Sequence, residues 1–149
     1  GIDFMRAWAE RVYGIPPEQI VGSVGRSRYA MQEGKPILIK SLDHLLVDDK
    51  EGKPVGIDMF IGRRPILAFG NSDGDKAMLE YVTIANSRPS LGMILRHTDA
   101  AREYAYDINP KSSGTLVEAL AEAPMRGWLV IDMAKDWILV FSSSKAMNR

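Results

Sequence analysis

The run from Arg64 to Met78, RPILAFGNSDGDKAM, constrains the fold of this chain more than any other stretch. Ile66, Leu67, Ala68 and Phe69 form a continuous apolar run, the pattern of a strand covered on both faces, and predict a strand over Pro65 to Phe69. A polar turn from Gly70 to Asp75 follows, then a helix expected to carry Ala77, Met78, Tyr81 and Val82 inward. In an open α/β sheet, ligands collect at the carboxyl end of such a strand. Asn71, Ser72, Asp73 and Asp75 stand there, interleaved with Gly70 and Gly74. The side-chain oxygens of Asn71, Asp73 and Asp75 suit a hard cation such as magnesium. The same residue types also build turns and helix N-caps, with Asp75 as a first-turn acid facing a helix dipole. Both readings stay open at this point. A calcium loop of the EF-hand kind is excluded, because counting from Asn71 its sixth and twelfth positions hold Lys76 and Val82 where Gly and an acid are required.

A chain of 149 residues fits one domain, 1–149, with a core of ordinary size. Lys plus Arg and Asp plus Glu are equal at 19 each, so net charge points to neither nucleic acid nor an anionic membrane. The absence of cysteine removes disulfides, thiolate zinc sites and a Cys nucleophile, and fits cytoplasm as well as periplasm. No apolar run is long enough to cross a bilayer, and no signal peptide is visible. The chain opens inside an amphipathic pattern with no Met, so the natural protein is expected to start upstream of Gly1.

Phe4, Trp8 and Val12, with Met5 alongside, predict a helix from Ile2 to Tyr13 closed by Gly14, and Pro16-Pro17-Glu18 a turn. Ile20 to Ser23 reads as a short parallel strand. The region 28–52 reads as a β insertion: a hairpin of Tyr29-Ala30-Met31 and Pro36 to Ile39 around Gln32-Glu33-Gly34-Lys35, then a strand at Leu45 to Val47. A helix opening at Lys53-Pro54 and closed by Gly62 precedes the organising strand. Beyond it come a strand over Leu91 to Leu95 and a helix capped by Thr98 and carrying Tyr104. A further helix begins at Ser113-Gly114-Thr115, runs over Leu116 to Ala123, and is ended by Pro124 and Gly127. Trp128 to Met133 and Trp137 to Phe141 look like strands, and Ser142 to Arg149 like a frayed tail.

Few other residues invite chemistry. Lys53, after a tight turn and at a helix start, could neutralise a phosphate, as electrostatic catalysis of phosphoryl transfer requires, or be a surface lysine. His97, and more weakly His44, could contact a ligand, but without cysteine or a paired histidine a zinc site is not expected. Ser23 and Ser27 show no nucleophile elbow, and Gly22-Ser23-Val24-Gly25 could cradle an anion loosely. Trp128 and Trp137 read as core aromatics.

Phe69-Gly70-Asn71-Ser72-Asp73-Gly74-Asp75 with Met78-Leu79 resembles the fourth motif of the haloacid dehalogenase-like (HAD) hydrolases, in the branch similar to phosphoserine phosphatase. The likeness extends along the chain. Phe4-Met5-Arg6 through Ile15-Pro16-Pro17 and Ile20 to Ser23 resemble the segment after the second motif, and Lys53-Pro54 the third. His97-Thr98-Asp99, Glu103 to Asp107, and Gly127-Trp128 through Asp136-Trp137 resemble later parts of the same branch. The resemblance implies a Rossmann-like, mostly parallel α/β sheet flanked by helices, with a small β-hairpin insertion. It also implies a magnesium-dependent phosphate monoester hydrolase working through an aspartyl-phosphate, with a small phosphorylated metabolite as substrate and the cytoplasm as its place. Lys53 would contact the phosphoryl group with Ser23 on the substrate, and Asp75, Asp73 and Asn71 would form the metal loop. Two departures matter. Asn71 stands where many members have Asp. The family's nucleophilic DxD and its second motif have no counterpart, and Asp132 in Val130-Ile131-Asp132-Met133 is not accepted as one. The chain therefore reads as a carboxyl-terminal portion of such an enzyme, or else as a non-catalytic binding or assembly module. A sheet lacking its central strand would expose edges, so a homo-oligomer or a missing amino-terminal fragment is the expected partner.

Overall fold

Apolar spacing carries a helix from Ile2, but the backbone breaks at Trp8 (φ −139°, ψ −18°), giving α1 (Ile2–Arg6) and α2 (Ala9–Tyr13) in place of one helix. The break turns Ile2 and Ala9 into the core with Ile20, against Met5, Trp8, Val24 and Phe60, whereas Phe4 and Val12 stay exposed. Gly14 closes α2 in the left-handed conformation, its N–H donating to Glu10 O. The structure is a computed structural model in which residues 1–102, 104–106 and 114–139 are described. It divides into two units, Gly1–Arg64 and Pro65–Arg149.

In the first unit, the expected strand at Ile20 to Ser23 does not form: its backbone presses on α1, where Ile2 N donates to Ser23 O at 3.0 Å. A Cβ on Gly22 would meet Ile2 N at 3.1 Å and the end of the Met5 side chain at 2.5 Å, so the glycine eases that approach. Pairing begins at Val24. β1 (Val24–Gln32) and β2 (Lys35–Leu46) form an antiparallel hairpin longer than the alternation predicted, and the strand expected at Leu45 is the end of β2. Glu33 and Gly34 both have positive φ (51° and 72°), the two-residue turn whose twist matches the strands it joins. α3 (Gly52–Ile61) starts and ends as expected, with Lys53 in its first turn and Gly62 closing it.

The second unit is a three-stranded parallel sheet in the order β3 (Leu67–Gly70), β4 (Leu91–Arg96), β5 (Leu129–Asp132). α4 (Lys76–Thr83) follows β3 and α5 (Glu118–Arg126) precedes β5, and short α6 (Met133–Asp136) closes the described chain. Because both crossovers advance the sheet in one direction, the right-handed rule puts both helices on one face. That face holds the core: Ala68 and Ile94 from the sheet, Leu79 and Val82 from α4, Leu116, Ala119 and Ala123 around α5, and Trp128. The inward pair of α4 is thus Leu79 and Val82; Tyr81, expected inward, is half-buried. A Cβ on Gly92 would lie 2.6 Å from Cδ1 of Trp128, so the glycine in β4 makes room for the indole.

The opposite face corrects the expectation of a strand covered on both sides. Leu67 and Phe69 of β3, Leu91 of β4 and Leu129 of β5 share that face by register and are 53%, 46%, 38% and 53% exposed. Continuous apolarity predicts cover on both faces, but among the described residues of this unit the helices cover one face only. The helix expected after Thr98 is a turn in which the Asp99 carboxylate accepts from the amides of Ala101 (3.1 Å) and Arg102 (2.9 Å), so Asp99 and not Thr98 is the cap. Tyr104 is outside any helix. Pro124 lies within α5 and Gly127 ends it. Residues 137–139 form no strand, and the rest of the strand expected to Phe141, the tail, and the readings at Glu103, Asp107 and Ser113 lie outside the described residues.

Candidate functional site at the carboxyl edge of the parallel sheet

Parallel strands present their carboxyl ends along one edge. Here that edge carries Gly70 to Asp75 after β3, His97 to Asp99 after β4, and Asp132 at the end of β5. The turn after β3 is built around Asp75. One of its oxygens accepts from the amides of Asn71 (2.9 Å) and Ser72 (3.2 Å) and from the Ser72 hydroxyl (3.4 Å), a capping box at the head of the short 3₁₀ turn Asp73–Asp75. Asp75 is 8% exposed, the one buried charged residue among those described. Gly70 fits beneath it, because a Cβ there would lie 2.4 Å from that of Asp75.

Asp73 turns the other way. Its oxygens accept from the amides of Val117 (2.9 Å) and Ala119 (2.9 Å) and from the Thr115 hydroxyl (3.1 Å), while Asp73 N donates to Thr115 O at 2.7 Å. Val117, at the start of α5, has no side-chain oxygen, so Asp73 supplies the missing N-cap from a distant turn. The two carboxylates expected to share a cation therefore serve two separate sets of amides.

Asn71 is the exposed member of the turn. Its Nδ2 donates to the Tyr106 hydroxyl, and its Oδ1 has no partner among the described residues. Tyr106 pairs with His97 through Tyr106 N to His97 O (3.0 Å), stacks on the His97 ring at 4.5 Å, and is followed in the stack by Tyr104 at 5.9 Å. This aromatic wall was not anticipated; only the spacing of His97, Tyr104 and Tyr106 hinted at it.

The side chains of Asn71, Asp73 and Asp75 offer oxygens, the donor type a hard cation takes. Asn71 and Asp75 are the residues that could serve it, with Asp73 tied to α5. No group of three or more His, Cys, Asp or Glu side chains placed to hold a metal occurs among the described residues.

At the β5 end, Asp132 accepts from the Thr98 hydroxyl (2.5 Å) and from Ala134 N (3.1 Å), capping α6. The Thr98 hydroxyl, with Lys135 beyond it, holds the Asp132 carboxyl below the usual Asp range. Arg102, through its amide and guanidinium, does the same for Asp99, while its guanidinium also donates to Met133 O, Trp137 O and Ile138 O. A carboxyl depressed in the folded state stabilises above its unfolded pKa of ~3.9 and loses that contribution as pH falls through its folded value. Thr98→Val is therefore expected to raise the Asp132 pKa in a carboxyl NMR titration. It should also lower the melting temperature at pH 7, by a difference that shrinks as pH falls through the folded pKa of Asp132.

Ser23 and Lys53 belong to the first unit. The Ser23 hydroxyl accepts Asp48 N at 2.9 Å, tying the end of β2 to the chain before β1. Lys53 is half-buried in the first turn of α3. His44 pairs with Gly25 in the hairpin. Among the described residues no helix is long and apolar enough to cross a membrane. No protein-family model matches the chain, and no curated protein matches it.

Proposed function

We propose that the chain is the carboxyl-terminal portion of a magnesium-dependent phosphate monoester hydrolase of the HAD kind, acting on a small phosphorylated metabolite in the cytoplasm. The observation that carries this reading is the turn Gly70-Asn71-Ser72-Asp73-Gly74-Asp75 at the carboxyl end of a parallel strand, where α/β sheets bind ligands. The one-directional strand order supports it further. Two crossovers advancing in one direction, right-handed by the general rule, would form half of a doubly wound, Rossmann-like sheet, whose other half would cover Leu67, Phe69, Leu91 and Leu129. In this reading Lys53 would stabilise phosphoryl charge and Ser23 would contact the substrate, while Asn71, Asp73 and Asp75 would be the residues to hold magnesium, which would supply charge neutralisation. The nucleophilic aspartate comes from an amino-terminal fragment.

A second reading, a non-catalytic HAD-like binding or assembly module, is favoured by the way Asp73 and Asp75 are already satisfied by amides. Magnesium-dependent hydrolysis of p-nitrophenyl phosphate separates the two. Turnover by the chain, alone or with its upstream segment, that falls at least a hundredfold in Asp75→Ala and in Lys53→Ala supports the enzyme. Turnover absent in both preparations, or untouched by either substitution, sinks it in favour of the module. The open apolar face also leads us to expect association, with a second copy or with the amino-terminal fragment. A monomeric mass by light scattering together with a cooperative melt would count against that expectation.

A further inference from the structure

We propose that Arg26 and Arg28 form a phosphoryl-binding site on one face of the β1–β2 hairpin in the first unit. An open cleft of about 390 Å³ lies there, lined by Arg26, Ser27, Arg28, Ile39, Lys40 and Ser41. Side chains alternate between faces along a strand, so Arg26 and Arg28 stand on the same face, roughly 7 Å apart. Arg28 lies opposite Ile39 in the register, which puts that half-buried apolar side chain on the arginine face. Ser27 and Lys40, also opposite one another, take the other face, where Lys40 Nζ donates to the Asp3 carboxylate at 2.8 Å.

The two guanidiniums are not neutralised. Neither has a side-chain hydrogen-bond or ion-pair partner among the described residues, whereas Arg102 holds Asp99 and Arg126 holds Glu80 and Glu122. β1 carries no acid, and the one acid of β2, Asp43, is engaged within its own strand. Ser41 Oγ donates to the Asp43 carboxylate at 3.0 Å and accepts Asp43 N at 3.1 Å. The pairing register slips there, between Gly25 and Ser27, and such a bulge re-aims the side chains beside it. Two like charges on one strand face repel each other, and an anion between them turns the repulsion into attraction. Guanidiniums match phosphate oxygens with paired N–H donors, and two positive charges match the dianion that a phosphate monoester carries above pH ~6. Ile39 offers the organic part of such a molecule an apolar floor. The inference does not rest on the metal reading above or on hydrolysis, so either can fail without the other.

The test titrates the full chain, without added metal, with inorganic phosphate and with phenylphosphonate, whose P–C bond a phosphatase does not cleave. Ionic strength is held constant with NaCl, and ¹⁵N NMR follows the arginine Nε–H signals. The expected result is a saturable shift of the Arg26 and Arg28 signals. Binding should weaken about three- to tenfold in Arg26→Gln and in Arg28→Gln, and stay as in wild type in Lys40→Gln. Melting temperatures should not change in the arginine variants, because both side chains are exposed. Tighter binding of phenylphosphonate than of inorganic phosphate identifies an organic phosphate resting on Ile39, and equal binding identifies the free ion; both support the site. Shifts that grow without saturating overturn it as ionic screening. Binding kept in either arginine variant overturns it too. So does an equal loss in Lys40→Gln, which would make the anion a counterion of the whole ribbon.

Discussion

Asp73→Ala is expected to destabilise the second unit by about 2 kcal/mol, at the upper end of what an N-cap is worth. The size follows from what the carboxylate does. It satisfies two amides at the start of α5 and the Thr115 hydroxyl, and among the described residues no other side chain takes those amides. α5 brings Ala119 and Ala123 to the core against Trp128, so fraying its first turn loosens packing as well as hydrogen bonding. Asp73→Asn keeps one acceptor and should recover roughly half the loss. Urea unfolding followed by tryptophan fluorescence reads the effect, because Trp128 is 4% exposed under that helix. Were Asp73→Ala as stable as wild type while Mn²⁺ affinity collapsed, Asp73 would be a ligand and its role as a cap would be refuted.

The turn that organises the chain was legible as a place, and only partly as a mechanism. A short apolar run, a Gly/Asp turn and an amphipathic helix are local signals, and they located β3, the turn and α4 within a few residues. Local signals also closed three helices at Gly14, Gly62 and Gly127, all left-handed in the structure, and set the hairpin turn at Glu33-Gly34. What composition could not supply was direction. Asp73 serves amides 44 and 46 residues away, which depends on how α5 returns to the sheet. The open face of β3 likewise depends on the order of strands, since Leu67 and Phe69 look the same in sequence whether or not a second layer covers them. In the first unit, Phe4, Trp8 and Val12 kept helical spacing, yet the buried stripe is Ile2 and Ala9. The need to seat α1 on the Gly22 backbone outweighed periodicity there.

Gly70→Ala is expected to cost about 1–3 kcal/mol, the range for forcing a methyl group into a filled space. The methyl would lie 2.4 Å from Cβ and 2.9 Å from Cγ of Asp75. The Asp75 side chain cannot swing aside cheaply, because its carboxylate is tied to the amides of Asn71 and Ser72 and is almost wholly buried. Either those bonds break, leaving a buried carboxylate short of donors, or the end of β3 moves away from the turn. A double-mutant cycle tells this local clash from a general weakening of the strand. Asp75→Gly alone should destabilise by the lost capping box, and adding Gly70→Ala beside it should cost nothing further, because the atoms it would strike are gone. If Gly70→Ala costs the same in both backgrounds, the glycine serves the strand and not the turn. The five-residue spacing from Gly70 to Asp75 would then lose its physical explanation. If the two costs couple as expected, that spacing is a packing requirement of the turn itself, and it holds whether or not a metal ion ever binds there.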